Sequence, residues 1–194
     1  MGRAEDRKAI VAAINQAAEL YRRFLVGKSF MYVFDDRYIE VIYKAVNFKH
    51  LTGVDSYLPA SQFFKLASRG KLAASQIDFS NRHPYALCRR KVAHIVQLAS
   101  FATSECFMLE DISTKTQCYK FGTTDLHFSL LMNYRGGCYV AESLRDEDCF
   151  QRVAMCTKSC ISSRGRTIRS CMTHSCLKMV SSMIPNFQVR SSLS

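Results

Sequence analysis

The first 26 residues alternate as a helix does. Apolar side chains recur at Ile10, Ile14, Ala17, Tyr21 and Leu25, with Glu19, Arg22 and Arg23 between them. That spacing predicts one amphipathic helix over residues 4–26, and Gly27 is a natural stop. The pattern then changes period. Phe30-Met31-Tyr32-Val33-Phe34 and Tyr38-Ile39-Glu40-Val41-Ile42-Tyr43 are rich in β-formers and flank the turn Asp35-Asp36-Arg37, a hairpin. Residues 47–54 leave that hairpin as a structured loop. Pro59 and Ser61 open a short helix through Phe63, Phe64 and Leu66 that Gly70 closes.

Pro84 sits where a helix accepts proline, in its first turn. From there Leu87, Lys91, Ile95, Leu98 and Phe101 run along one side of a helix that reaches about residue 102. Strands dominate afterwards: residues 106–109, 117–121, 126–131 and 138–140, with Gly136-Gly137 as a hairpin signal. Helices first and an antiparallel sheet later make the fold class α+β, with the N-terminal helices and hairpin packed with that sheet. The division expected is a helix over 1–27, a compact domain over 28–150 and a poorly structured, disordered basic tail over 151–194.

The tail changes the reading of charge and of cysteine. The chain of 194 residues carries a net charge of +11, but residues 151–194 hold seven Lys or Arg and no acid, which leaves +4 on the body. Mild basicity suits transient contact with phosphates. Of nine cysteines, Cys88, Cys106, Cys118, Cys138 and Cys149 are spread singly through the body, and Cys156, Cys160, Cys171 and Cys176 crowd the tail. No Cys-x-x-Cys pair occurs, so structural thiols in a reducing compartment are expected rather than disulfides or zinc. No apolar run spans a bilayer and the N-terminus lacks the apolar core of a signal peptide. Gly2 is followed by Asp6 where myristoylation wants Ser or Thr. A cytoplasmic protein without a membrane partner is the expectation.

Four groups carry candidate chemistry. In His50-Leu51-Thr52-Gly53 an imidazole and a hydroxyl lie two residues apart, and both face one phosphate if the segment is extended. Its bland reading is a loop histidine capping nearby backbone. Arg82-His83-Pro84 precedes a helix N-terminus, where an anion binds or His83 simply caps. Lys120 stands on a strand before Gly122-Thr123-Thr124, and Arg145 follows Ser143 ahead of an acidic turn. His94 and His127 read as packed or surface residues. Such a set fits RNA cleavage without a metal, in which the 2′-hydroxyl attacks, a base takes its proton, and cations hold the charge on phosphorus. Few carboxylates in these loops argue against a two-metal nuclease.

The blocks Phe30-Met31-Tyr32-Val33, Tyr38 to Lys44, and Asn47-Phe48-Lys49-His50-Leu51-Thr52-Gly53-Val54 carry a resemblance. Phe79 to Tyr85, Leu109-Glu110-Asp111-Ile112, Tyr119-Lys120-Phe121-Gly122 and Ser143-Leu144-Arg145 continue it in order. Over residues 28–150 the chain resembles the phage-associated barnase–EndoU–colicin–RelE-like nucleases, in their fourth subgroup. The resemblance implies an endoribonuclease fold of phages and mobile elements, no cofactor, RNA as substrate, and an immunity protein or a larger phage polyprotein as partner. Carried over residue by residue, it implies His50 as general base or acid, Thr52 as a positioning hydroxyl, and Lys120 and Arg145 as phosphate clamps converging on one cleft. The alternatives are a non-catalytic phage–host binding module and an inactive relic. The relic follows from the tail. Residues 151–194 lack the strand pair expected after Phe150, while codons around residues 155–173 read from their third base can encode a strand and an acidic turn, as after a frame change near residue 150.

Overall fold

The computed structural model describes residues 3–34, 37–101, 106–124, 128–145 and 150–162. The acidic tip of the first hairpin, His127, the acidic turn after Arg145 and residues 163–194 lie outside them. The fold is α+β. The chain divides into a helical unit, residues 1–29 and 42–100, and a strand unit, residues 30–41 and 101–194.

In the helical unit α1 spans Arg3–Phe24. Ile10, Ile14, Ala17, Tyr21 and Leu25 are buried, the stripe its periodicity predicts. Val26 bridges Tyr43. A 3-10 turn, Ala45–Asn47, then leads into α2, Phe48–Thr52, so the segment expected to be a loop is helical. α3 spans Ala60–Ala67 and α4 spans Tyr85–Phe101. Tyr21 is fully buried with its ring centroid 6.1 Å from Tyr43, 5.3 Å from Phe48 and 5.9 Å from Phe64. Its hydroxyl donates to the Lys44 carbonyl at 3.3 Å, and burial pushes its pKa upward. On α4 the buried line is Cys88, Val92, Ile95 and Leu98. It starts one residue later than Leu87 and Lys91, because the small thiol of Cys88 fits the core and a lysine does not.

The strand unit holds β1 (Ser29–Phe34), β2 (Arg37–Ile42), β3 (Cys106–Thr114), β4 (Cys118–Thr124), β5 (Ser129–Arg135), β6 (Cys138–Arg145), β7 (Phe150–Arg152) and β8 (Met155–Ser162). Their order is β4-β5-β6-β2-β1-β8-β3-β7, and a further pairing of β4 with β3 closes seven of them into a ring. β8 and β7 follow one another along the same edge of β3. Gly136 and Gly137 have φ of 61° and 97°, the two left-handed residues that the β5–β6 hairpin needs. Gly122 serves close approach instead. A Cβ there would sit 2.7 Å from Ile112 Cδ1 and 2.8 Å from Leu131 Cδ2, inside the cluster of Leu109, Ile112, Tyr119, Leu131, Phe150 and Val153.

Strand pairing continues past residue 150. Met31, Tyr32 and Val33 of β1 pair with Ser162, Ile161 and Cys160, and Cys106 through Glu110 of β3 pair with Ser159 through Met155. The physical reason is position. A strand bonded on both edges is held by two backbone ladders and needs no polar–apolar alternation to be stable. Alternation was the signal that residues 151–162 lacked.

Candidate active site

α2 decides how His50 and Thr52 are presented. On a helix, side chains two residues apart point about 200° away from each other, so they do not share a face as they would on a strand. His50 is exposed, whereas Thr52 is fully buried. The Thr52 hydroxyl donates to the Lys49 carbonyl at 2.7 Å and accepts the Val54 N–H at 3.3 Å. It fixes the end of the helix that carries His50. Gly53 caps that helix at φ +74°, and a Cβ there would stand 3.0 Å from the Lys91 side chain. Lys49 Nζ donates to the carbonyls of Ser56 and Leu58 at 2.6 and 2.7 Å, which pins the next loop.

Elsewhere in the helical unit, His83 Nδ1 lies 3.6 Å from Asp55 Oδ1, and both side chains are partly exposed. Such a pair adds little stability. Cys88 is fully buried with Sγ 3.6 Å from the His83 carbonyl. Burial pushes its thiol up to about 11, Lys91 pulling it down and Asp55 pushing it up, so it is no nucleophile at neutral pH. A polar groove of about 380 Å³ runs past Asn15, Glu19, Arg22 and Arg69 and contains none of the candidate residues.

The denser constellation is in the strand unit. Arg37 of β2 grips Glu110 of β3 through two hydrogen bonds, of 2.5 and 3.3 Å. In the strand order β1 and β8 lie between those two strands, so the pair reaches across the ring. The Phe34 and Phe121 rings, 5.6 Å apart on β1 and β4, cross it too. The Arg37 guanidinium lies 4.9 Å from the centre of the Phe34 ring. Glu110 is only 7% exposed, and a buried carboxylate needs this kind of pairing. The next residue, Asp111, has φ +48° on a non-glycine, a backbone outlier within β3 beside the pair.

Asp111 accepts from Lys120 Nζ at 2.7 Å, and Lys120 N–H donates to Asn133 Oδ1 at 3.0 Å. The hydrogen bond to Asp111 raises the Lys120 pKa, and Glu110 and Tyr139 act on it as well. Tyr139 is raised by burial, with Lys120 pulling it down. Its ring lies 5.0 Å from Phe121 and 5.3 Å from Tyr134. Arg37 with Glu110 and Lys120 with Asp111 are two ion pairs at consecutive positions of β3, and the Tyr139 phenol, protonated at neutral pH, lies where the charges of Lys120, Glu110 and Asp111 act on it. Arg145 bonds instead to the hydroxyls of Ser143 and Thr116, at 3.1 and 3.3 Å. Of the four residues expected from sequence, His50 and Thr52 belong to the helical unit and Lys120 and Arg145 to the strand unit. Only Lys120 belongs to the two ion pairs.

Sequence reasoning missed Arg37, Glu110 and Tyr139 as a site. Glu110 interrupts an apolar strand, the one signal that could have marked it. Among the described residues no three His, Cys, Asp or Glu side chains group closely enough to hold a metal ion. No helix among them is long and apolar enough to cross a membrane.

A family model described as phage-Barnase-EndoU-ColicinE5/D-RelE like nuclease4 matches residues 13–169. The match runs past residue 150 and takes in β7 and β8. No curated protein and no solved structure matches the chain.

Proposed function

This chain belongs to the phage-Barnase-EndoU-ColicinE5/D-RelE like nuclease4 family, and from that membership we propose that it is an endoribonuclease that cleaves RNA through the RNA's own 2′-hydroxyl. The observation that carries this reading is the cross-ring pair of Arg37 and Glu110 beside Lys120. Cleavage of this kind needs a base, positive charge at the phosphate and a proton for the departing oxygen. Glu110 takes the proton of the 2′-hydroxyl as that oxygen attacks phosphorus. Arg37 and Lys120 hold the phosphate oxygens while charge builds on them. The bond from phosphorus to the 5′-oxygen breaks, and that oxygen takes a proton from the Tyr139 phenol. The products are a 2′,3′-cyclic phosphate and a free 5′-hydroxyl.

Lys120 keeps the role its sequence position suggests. Arg145 is a further cation for the RNA backbone, held ready by two hydroxyls. Thr52 acts on the placement of His50 rather than on substrate. The competing assignment gives the proton transfer to His50, which is exposed at a capped helix end. Glu110 is favoured because it already has cations and a phenol around it, and a base works only within hydrogen-bond reach of its proton. The first test is simple. The full chain in excess chelator should cut a single-stranded RNA and leave DNA of the same sequence intact. Equal cutting of both, or cutting that stops with the chelator, contradicts the proposal.

A further inference from the structure

Tyr134 is 58% exposed although it sits on a paired strand directly opposite Tyr139. Its ring meets Tyr139 at 5.3 Å and 66°, Tyr139 meets Phe121 at 5.0 Å, and Phe121 meets Phe34 at 5.6 Å. The four rings make a continuous aromatic file. Its buried end lies under the Arg37 guanidinium that holds Glu110, and its outer end is the open ring of Tyr134. Cations accompany it. Lys120 acts electrostatically on Tyr139, and Arg135 follows Tyr134 in the chain, more than half exposed and bonded to Glu142 at 2.9 Å. An exposed ring at the end of a packed aromatic file whose other end lies under a guanidinium suits a flat, electron-rich partner tied to a phosphate. A nucleobase has that chemistry, and only an unpaired one offers its face to a side chain.

We infer that Tyr134 is a stacking seat for one unpaired base of a single-stranded RNA, next to the phosphate held by Arg37 and Lys120. The inference rests on the nuclease reading above for its neighbouring phosphate and adds a substrate class, single-stranded rather than duplex RNA. Tyr139 braces the seat from behind, and the β5–β6 hairpin turn at Gly136-Gly137 carries it outward.

The chain contains no tryptophan, so Tyr134→Trp places a sole indole fluorophore at the seat. The probe is a short single-stranded RNA of mixed sequence, made uncleavable by 2′-O-methyl sugars throughout. It should quench that fluorescence, and a duplex of the same sequence should not. Tyr134→Ala should weaken binding of the probe by about 5- to 100-fold, the loss typical of one stacked base. It should raise KM on the cleavable RNA with kcat little changed, and Tyr134→Phe should restore both. Binding and KM of Tyr134→Ala equal to those of the parent, or equal quenching by the duplex, overturns the stacking seat even if RNA is still cut. Quenching by the single strand with no RNA cleavage supports the seat and removes the nuclease reading. No quenching and no binding by either strand form overturns the seat.

Discussion

Glu110→Gln should lower the rate of RNA cleavage by about 10²- to 10⁴-fold, the usual contribution of a positioned base. The amide keeps the shape and one acceptor for Arg37, so the fold should survive. Arg37 is about half exposed and water compensates much of the lost pairing, which limits the destabilisation to about 1 kcal/mol. His50→Ala should leave the cleavage rate near that of the parent. Single-turnover rates on one RNA substrate, with melting curves for each variant, separate the two candidate bases. A Glu110→Gln enzyme of full rate beside a dead His50→Ala enzyme assigns proton transfer to His50.

The second large effect concerns β8. A chain ended after Ala154 loses the strand that bonds to both β1 and β3. The ring opens, and residues 31–33 and 106–110 keep unpaired backbone groups on two edges that invite association with other chains. Each backbone hydrogen bond is worth about 0.5–1.5 kcal/mol net, and a domain of this size has only about 5–15 kcal/mol to lose. The truncated chain should therefore lose its cooperative melting transition and elute as aggregate in size-exclusion chromatography. A chain ended after Ser162 keeps β8 and should retain a cooperative transition. Equal stability of the two truncations would show that β8 contributes nothing to the fold.

The same elements explain what could be read from the sequence. α1 was legible because its buried stripe is long and strictly periodic, and β1–β2 and the β5–β6 turn were legible because runs of aromatic and β-branched residues and Gly-Gly are local signals. β8 was not. A strand with partners on both sides is specified by those partners, and they lie far away in sequence. α2 is not legible because five residues are too few for periodicity to register, and only an extended segment would put His50 and Thr52 on one face, where the helix sets them on opposite ones. Lys120 was found from its own neighbourhood, a cation on a strand beside a Gly-Thr-Thr turn. Glu110 and Arg37, 73 positions apart, meet only because the ring closes, and Tyr139 joins them only through the β5–β6 hairpin. Single-sequence reading sees the residues of one strand and not the residues that face it across an interior.

Identification of the ends left by cleavage bears most directly on the central claim. An RNA oligonucleotide digested by the full chain should yield fragments whose masses and phosphorus resonances are those of 2′,3′-cyclic phosphates and 5′-hydroxyls. A single 2′-deoxy substitution at the cut position should abolish the cut there. Fragments ending in 5′-phosphates, or a cut that persists at the 2′-deoxy position, would mean that water rather than the RNA's own hydroxyl attacks phosphorus.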